Sequence, residues 1–359
     1  MISTNLSPNI EKSQQVNTSF TPNYWLGLDA SWEVDLWGKL KNMKQAARDR
    51  FLASVHGRDL MRATLVSEIA ALYYELIALD LEVDILKENI LLQQEALDIV
   101  IVQKEVGKAT ELAVQQFEAQ LANTQVVLIE LQQAIVNNEN RLLLLCGKFE
   151  GKIERENSIQ VQGIHAIGKY GNPNQLLQYR PDIQMSWREL SATHADAQAA
   201  RSAFFPSLSL SAYGAFNSFN SSYLFNPTSM GFQLLGNIVA PIFQKHQIRG
   251  QFKIANASQE MAFMEYQKTV VAAFTEVKTV LSSLENTEKT LLLKEKEVNA
   301  LTKAVEASAD LYMAGYANYL EIIAAQKSKL IADLDYIKTK RNQAVLMIQL
   351  YKALGGGWL

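Results

Sequence analysis

The feature that most constrains this chain is that it carries one plan twice, at a very long interval. Thr64-Leu65-Val66 reappears as Thr269-Val270-Val271, 205 residues on. Val106-Gly107 reappears as Ala314-Gly315, and Leu145-Cys146-Gly147 as Ala353-Leu354-Gly355, both 208 residues on. Solenoid repeats have periods of about 20–50 residues, so this is a duplicated unit. Both copies are expected to do the same structural job around an axis.

Within each copy the apolar period changes. From Tyr24 to Trp37 the even positions are Tyr24, Leu26, Leu28, Ala30, Trp32, Val34 and Leu36, while Asp29, Ser31, Glu33 and Asp35 fall on odd ones. That alternation predicts a strand with one apolar and one polar face. The same parity holds for Leu208, Leu210, Ala212, Gly214 and Phe216, and again for Phe232, Leu234, Gly236, Ile238, Ala240 and Ile242. In the last strand Leu235 and Val239 intrude on the polar face.

The period then switches to alternating steps of four and three. Leu65, Ile69, Leu72, Leu76, Leu79, Val83, Leu86 and Ile90 form a sustained seam of coiled-coil type. No proline interrupts the chain from Lys39 to Val106. The spacing predicts a helix roughly 100 Å long, broken at Gly107. A second seam follows through Phe117, Leu121, Thr124, Leu128, Leu131, Ile135, Asn138, Leu142 and Leu145. The second copy offers Val270, Phe274, Val277, Leu281 and Leu284 before Gly315, then a closing helix from about Asn318 to Leu354.

Between the copies, Gly147, Gly151, Gly163, Gly168, Gly171 and Pro173 mark irregular linking structure. A shorter helix is expected from about Pro181 to Ala203, with Pro206 ending it and opening the next strand. The division is therefore a first repeat over 1–147, a linker over 148–178 and a second repeat over 179–359. The second repeat has a strand in front that the first lacks. Its counterpart should precede Tyr24, yet residues 1–23 are polar and read as loop.

Composition removes several function classes. A net charge of −3 gives no basic footprint for nucleic acid. One cysteine, Cys146, allows no intramolecular disulfide and is expected to pack at a helix end. His56, His165, His194 and His246 lack metal-ligand spacing. No nucleophile motif, P-loop or dinucleotide fingerprint is present, so no cofactor and no enzymatic activity are expected. No apolar run of about 18 residues predicts a membrane-spanning helix, and the N-terminus shows no secretory signal. Those two absences read either as a cytoplasmic soluble protein or as a missing N-terminus.

Strands of this length with an apolar and a polar face suit a barrel in lipid with water inside. Trp25, Trp32 and Trp37 would supply an aromatic girdle. Taken alone, the strands fit a soluble sandwich equally well. The attached helices favour the barrel, because a compact sandwich has no need of them. A transmembrane barrel needs at least about 8 strands, so several chains would each contribute a small sheet in cyclic symmetry.

Ala30-Ser31-Trp32-Glu33-Val34-Asp35-Leu36-Trp37-Gly38 resembles the strand-to-helix motif of outer-membrane efflux factors of the TolC/OprM/NodT type. So do Arg180-Pro181-Asp182-Ile183, Ala200-Arg201-Ser202-Ala203-Phe204-Phe205-Pro206-Ser207-Leu208, and the closing Tyr351-Lys352-Ala353-Leu354-Gly355-Gly356-Gly357-Trp358. The resemblance implies a mainly α protein: very long antiparallel helical hairpins in an α-barrel tunnel, plus strands for a trimeric transmembrane β-barrel. It implies a homotrimer in outer-membrane lipid that docks a periplasmic adaptor and serves an inner-membrane transporter as a passive efflux conduit. The hairpin tips Val106, Gly107 and Lys108, and Ala314, Gly315 and Tyr316, would meet the adaptor. Tyr319, Glu321 and Ala324 would line the periplasmic mouth.

Two departures stand out. Members of the family begin with a signal peptide, so this chain reads as N-terminally truncated. The aspartate that usually rings the mouth is Ala324 here, leaving Glu321 as the nearby acid. A ring of acids favours cations. The plainer alternatives are a solvated glutamate at Glu321, simple helix termination at Gly107 and Gly315, and a register-fixing or tunnel-facing role for Asn138. For the whole chain the alternative is a soluble or periplasmic coiled-coil scaffold or adaptor, which would lack the duplication.

Overall fold

The computed structural model describes residues 2–6, 23–156, 158–159, 178–241 and 245–356. The described elements, in chain order, are β1 (Ile2–Leu6), β2 (Tyr24–Val34), α1 (Lys39–Glu105), α2 (Glu111–Leu145), α3 (Pro181–Ser202), β3 (Ser207–Ser218), β4 (Met230–Val239), α4 (Lys245–Met313) and α5 (Tyr319–Ala353). The chain forms two compact units, Met1–Ser54 with Met185–Gln267, and Val55–Gln184 with Lys268–Leu359.

The first unit is built on a four-stranded antiparallel sheet in the order β1-β2-β3-β4. Register keeps the two faces distinct. Ala30, Ala212 and Leu234 stand in one row, and Asp29, Tyr213 and Gln233 in the next. The apolar face is uncovered: Trp32 is 63% exposed and Phe232 85%. Residues 2–6 pair with β2 from Ile2↔Ala30 to Leu6↔Leu26. The expectation of loop there is thus corrected. Five residues are too few for alternation to be legible, and the strand is held by its neighbour's ladder. Residues 7–22 lie outside the described residues.

The aromatic-girdle expectation is also corrected. Only Trp32 stands on the exposed apolar face. Trp25 lies on the polar face, where its ring covers Gly27. Trp37 is beyond the strand. Its Nε1 donates to the Pro206 carbonyl at 2.8 Å, and its ring stacks on Phe205 at 4.7 Å. Ser202 Oγ donates to the Trp37 carbonyl at 2.9 Å. Asp35 accepts from the backbone N–H groups of Leu40 and Lys41 at 3.0 and 2.8 Å. It satisfies two orphan donors of α1 and places a negative charge at that terminus. The strand-to-helix motif is therefore a joint: Asp35 starts the helix, and Trp37 and Ser202 lock it to the β3 entry.

The start of α1 packs on α3 through Ala46, Ala192 and Ala195. Beside them the buried Asp49 accepts from Ser191 Oγ at 2.8 Å, Gln45 Nε2 at 2.9 Å and Arg188 Nη1 at 3.5 Å. Burial alone would raise its pKa. The three donors outweigh that and hold it below the ordinary carboxylate range.

The second unit consists of helical hairpins. In α1 the seam is buried from Leu72, through Leu76, Leu79, Val83 and Leu86, to Leu97 and Val100. Leu65, the first residue of the expected seam, is exposed on the chain itself. Leu72 and Leu76 pack on Leu142 of α2, with Ile135 and Leu145 at the margin. In the second hairpin Val277 and Val280 of α4 pack on Leu350 and Ala353 of α5, flanked by Phe274, Leu281 and Leu284. Asn138 turns back on its own helix, Nδ2 donating to the Ala134 carbonyl at 2.9 Å. Cys146 ends α2 as expected but is exposed rather than packed. Arg341 Nη1 meets Glu75 at 2.9 Å, tying α5 to α1.

No helix among the described residues is long and apolar enough to cross a membrane. The linker glycines Gly163, Gly168 and Gly171, Pro173, His165, Ile242 and the closing Gly357-Trp358 lie outside the described residues.

Candidate functional site: the paired hairpin tips

The duplication reappears as geometry at the turns. Helix α1 ends at Glu105 and α4 at Met313, 208 positions apart; α2 and α5 each have 35 residues. Gly107 and Gly315 have φ of +72° and +80°. In the first tip Gly107 N–H donates to the Lys104 carbonyl at 2.9 Å and Lys108 N–H to the Gln103 carbonyl at 2.8 Å. In the second, Gly315 donates to Tyr312 at 3.0 Å and Tyr316 to Leu311 at 2.8 Å. This is the Schellman motif, which needs a left-handed residue and so selects glycine. The next helix begins on a side-chain cap in both. Thr110 Oγ1 accepts from Ala113 N–H at 3.2 Å, and Asn318 Oδ1 from Leu320 N–H at 3.5 Å.

The tips therefore share a backbone but differ in surface. Val106 is 65% exposed and Tyr316 85%, with Leu112 and Met313 also exposed. Gly107, Lys108, Ala314 and Gly315 are exposed too. Lys104 pairs with Glu111 across the first turn.

Directly beneath the tips, Leu97, Val100, Ala113, Val114, Phe117 and Leu121 close the first hairpin. Tyr319 and Ile323 of α5 pack against that cluster. Tyr319 is thus a half-buried packing residue, whereas Glu321 and Ala324, singled out with it, are exposed. The Tyr312 hydroxyl donates to Gln103 Oε1, joining the ends of α4 and α1. Burial raises the Tyr312 phenol pKa. Neither Tyr312 nor Gln103 is legible as a site residue, because their meeting joins two hairpins across 209 positions of sequence.

A third repeated pair lies at the opposite end of the hairpins. Gly147 and Gly355 repeat the same left-handed turn, with φ of +67° and +86°. Around Gly355 the Arg180-Pro181-Asp182 segment closes on the end of α5, Arg180 Nη1 donating to the Ala353 carbonyl at 2.8 Å. Among the described residues no group of three or more His, Cys, Asp or Glu side chains could hold a metal ion.

The chain matches the family model described as outer membrane efflux protein over residues 2–148 and 172–356. It is 29% identical over 343 residues to the cation efflux system protein CusC of Escherichia coli O6:H1, covering 95% of this chain and 74% of that one. It is 28% identical to the outer membrane protein OprJ of Pseudomonas aeruginosa, covering 94% and 71%. A crystal structure of CusC superposes with a TM-score of 0.91 at 27% identity, covering 99% of this chain and 83% of that one. The outer-membrane channel OprN superposes with a TM-score of 0.91 at 25% identity, covering 100% and 82%. With a family model spanning both repeats, and with the duplicated hairpins and small sheet present, this chain belongs to the outer membrane efflux protein family.

Proposed function

We propose that this protein is the outer-membrane channel of a tripartite efflux system, a passive water-filled conduit built from three copies of the chain. The observation that carries the reading is the sheet. Its apolar face is exposed, both edges are open among the described residues, and four strands cannot close a barrel. Three copies would supply twelve strands. The unpartnered apolar residues on the helices, among them Phe51, Met61, Ile254, Met261 and Val271, would be covered in the same assembly. The repeats 1–147 and 179–359, joined through 148–178, would place two hairpins per chain around the tunnel.

The tips Val106-Gly107-Lys108 and Ala314-Gly315-Tyr316 are the docking points for a periplasmic adaptor, which links the channel to an inner-membrane transporter. Glu321 faces water at the mouth beside Ala324, and Tyr319 positions that turn from within. Transport is driven by the partner, and the chain performs no chemistry of its own. Among the relatives are a cation efflux protein, a toluene efflux protein and a pyoverdine export protein.

The test is reconstitution of the gene product in planar bilayers, with cross-linking in detergent. A trimer with stepwise conductance is expected, and Glu321→Gln should lower its preference for cations. A monomer that stays soluble without detergent and does not conduct would overturn the reading.

A further inference from the structure

The connection between β3 and β4, residues 219–229, inverts the usual polarity of a surface loop. Its polar side chains turn onto its own backbone. Asn220 Oδ1 accepts from Ser222 N–H at 3.0 Å and Asn226 Oδ1 from Thr228 N–H at 3.3 Å, each starting a short helical turn, Ser221–Tyr223 and Pro227–Ser229. Ser218 Oγ donates to the Asn220 carbonyl at 2.9 Å, and Ser229 Oγ to the Tyr223 carbonyl at 2.8 Å. The backbone N–H groups of Tyr223, Leu224, Asn226 and Ser229 also donate to carbonyls of the loop. The aromatic rings are what the loop presents outside: Phe219 and Phe225 are each 70% exposed and Tyr223 61%. Residues 202–244, which contain the loop and both strands, include no Asp, Glu, Lys, Arg or His.

The loop leans to one side of the sheet. The Phe225 ring meets the Phe216 ring, with centroids 5.8 Å apart. Phe216 stands in the apolar row with its partners Leu26 and Met230. Phe225 therefore prolongs the apolar face past the strand ends instead of closing over the polar one. Strand length sets the level at which this happens. From Val34 to Tyr24 the apolar face runs about 33 Å along the strand. At a barrel tilt of about 40° that is roughly 25 Å of membrane normal, the height of the apolar band of an outer-membrane barrel. The loop begins just past Ser218, the partner of Tyr24, where hydrocarbon would give way to headgroups.

We propose that this loop is a lipid-contacting anchor, with Tyr223 and Phe225 seated at the boundary between acyl chains and headgroups. A charge-free loop that satisfies its own hydrogen bonds loses little on leaving water, whereas its exposed rings gain by burial. The tyrosine hydroxyl can stay among the headgroups while its ring enters the apolar layer. Lipid is favoured over a second copy of the loop by the direction of the lean. Copies gathered round a channel axis would meet over the polar face, whereas Phe225 lies with the apolar one. The proposal rests on the channel reading, which puts the sheet in a membrane. What it adds is that the loop turns to the lipid and away from the water outside.

The test uses the full chain with Cys146→Ser, reconstituted in vesicles of phosphatidylethanolamine and phosphatidylglycerol. Tyr223→Cys and Phe225→Cys each carry a nitroxide spin label. Collisions with oxygen, which concentrates in lipid, are compared with collisions with a nickel chelate, which stays in water. Asn217→Cys on the polar face and Phe232→Cys on the apolar face serve as references. The oxygen-to-nickel ratio at both loop positions is expected to lie several-fold above that at Asn217 and close to that at Phe232. A water-like ratio in the loop beside a lipid-like ratio at Phe232 overturns the anchor and leaves the channel standing. Few collisions with either reagent would mean that protein, such as the loop of another copy, covers the rings, and this also overturns it. A water-like ratio at Phe232 takes the sheet out of lipid, and the channel reading and the anchor fall together. Tyr223→Cys leaves the Phe216–Phe225 ring pair intact, so it carries the test if thermal melts show the Phe225 variant to be unfolded.

Discussion

Arg180 and Ala353 meet across 173 positions of sequence, Nη1 donating to the carbonyl at 2.8 Å. Ala353 is the last residue of α5, where carbonyls lack intrahelical partners. The same guanidinium forks onto Asp182, Nε to Oδ1 at 3.1 Å and Nη2 to Oδ2 at 2.7 Å, and reaches Glu276 at 2.7 Å. Arg180→Met would take the guanidinium from Glu276 and the Ala353 carbonyl, and leave Asp182 only the Ile183 N–H that its Oδ1 accepts at 2.8 Å. Removing one partner of a buried pair costs about 3–5 kcal/mol. Glu276 is partly solvated, so the lower end, about 3 kcal/mol, is expected in denaturant titration. Arg180→Lys keeps the charge but loses the planar fork and should recover only part of it. An unchanged midpoint in the Met variant would show that the contact contributes nothing to stability.

The left-handed glycines should rank by what surrounds them. At Gly107 and Gly315 a Cβ meets nothing within 4 Å, so alanine costs only the backbone term of about 1–2 kcal/mol. At Gly355 a Cβ would lie 2.8 Å from the Tyr179 carbonyl oxygen and 2.9 Å from its carbon. Gly355→Ala should be distinctly worse than the two tip variants, which should match each other. Parallel thermal melts decide it, and a Gly355→Ala variant as stable as Gly107→Ala would contradict this packing.

These contrasts show what sequence could and could not carry. The glycines and the heptad seams are local, so the 208-residue offset in sequence became an offset in helix ends and turn hydrogen bonds. The faces of β2, β3 and β4 followed from parity alone. Strand β1 was missed because its pairing to β2 comes from tertiary structure and its five residues show no period. The Arg180 knot and the Tyr312–Gln103 contact join distant segments, and neither leaves a local trace. Trp25 was assigned to a girdle by residue type, whereas its odd parity already placed it on the polar face.

Two buried acids predict opposite responses to pH. Glu82, 2% exposed on α1, has its carboxyl pushed up by burial, against the pull of Lys338 and Arg341 and with added push from Glu75 and Asp335. A raised folded-state pKa stabilises fully below the unfolded value of about 4.3 and fades as pH rises through the folded value. Glu82→Gln should therefore gain on wild type as pH increases from about 4. Asp49 is held below its usual range, so its contribution is present above about 3.9 and is lost as pH falls through the lowered value. Thermal midpoints measured across pH check both; parallel curves for wild type and Glu82→Gln would dismiss the first.

Gln93 interrupts the apolar seam of α1 at 1% exposure. Its Nε2 donates to Asn89 Oδ1 at 2.7 Å, while its Oε1 is buried without a hydrogen-bond partner. An unsatisfied buried acceptor costs about 1–3 kcal/mol, whereas an apolar pair of similar shape can be neutral or stabilising. The double variant Asn89→Leu, Gln93→Leu should be at least as stable as wild type. A loss of more than about 2 kcal/mol in denaturant titration would mean that the two amides support the hairpin.

The tips permit a separation of binding from folding. Tyr316 and Val106 are exposed beyond the last buried layer, and the Schellman hydrogen bonds that shape each turn are made by backbone atoms alone. Replacing either side chain therefore leaves the turn intact. Tyr316→Asp and Val106→Asp should shift the thermal midpoint by less than a degree or two, since surface substitutions stay within about 0.5 kcal/mol. If the tips dock an adaptor hairpin through apolar contact, each should weaken capture of that partner, Tyr316→Asp more because the ring supplies the larger contact area. Pull-down of the cognate adaptor by the detergent-solubilised protein provides the measurement. Undiminished capture by the double variant would place the adaptor's contact elsewhere on the hairpins.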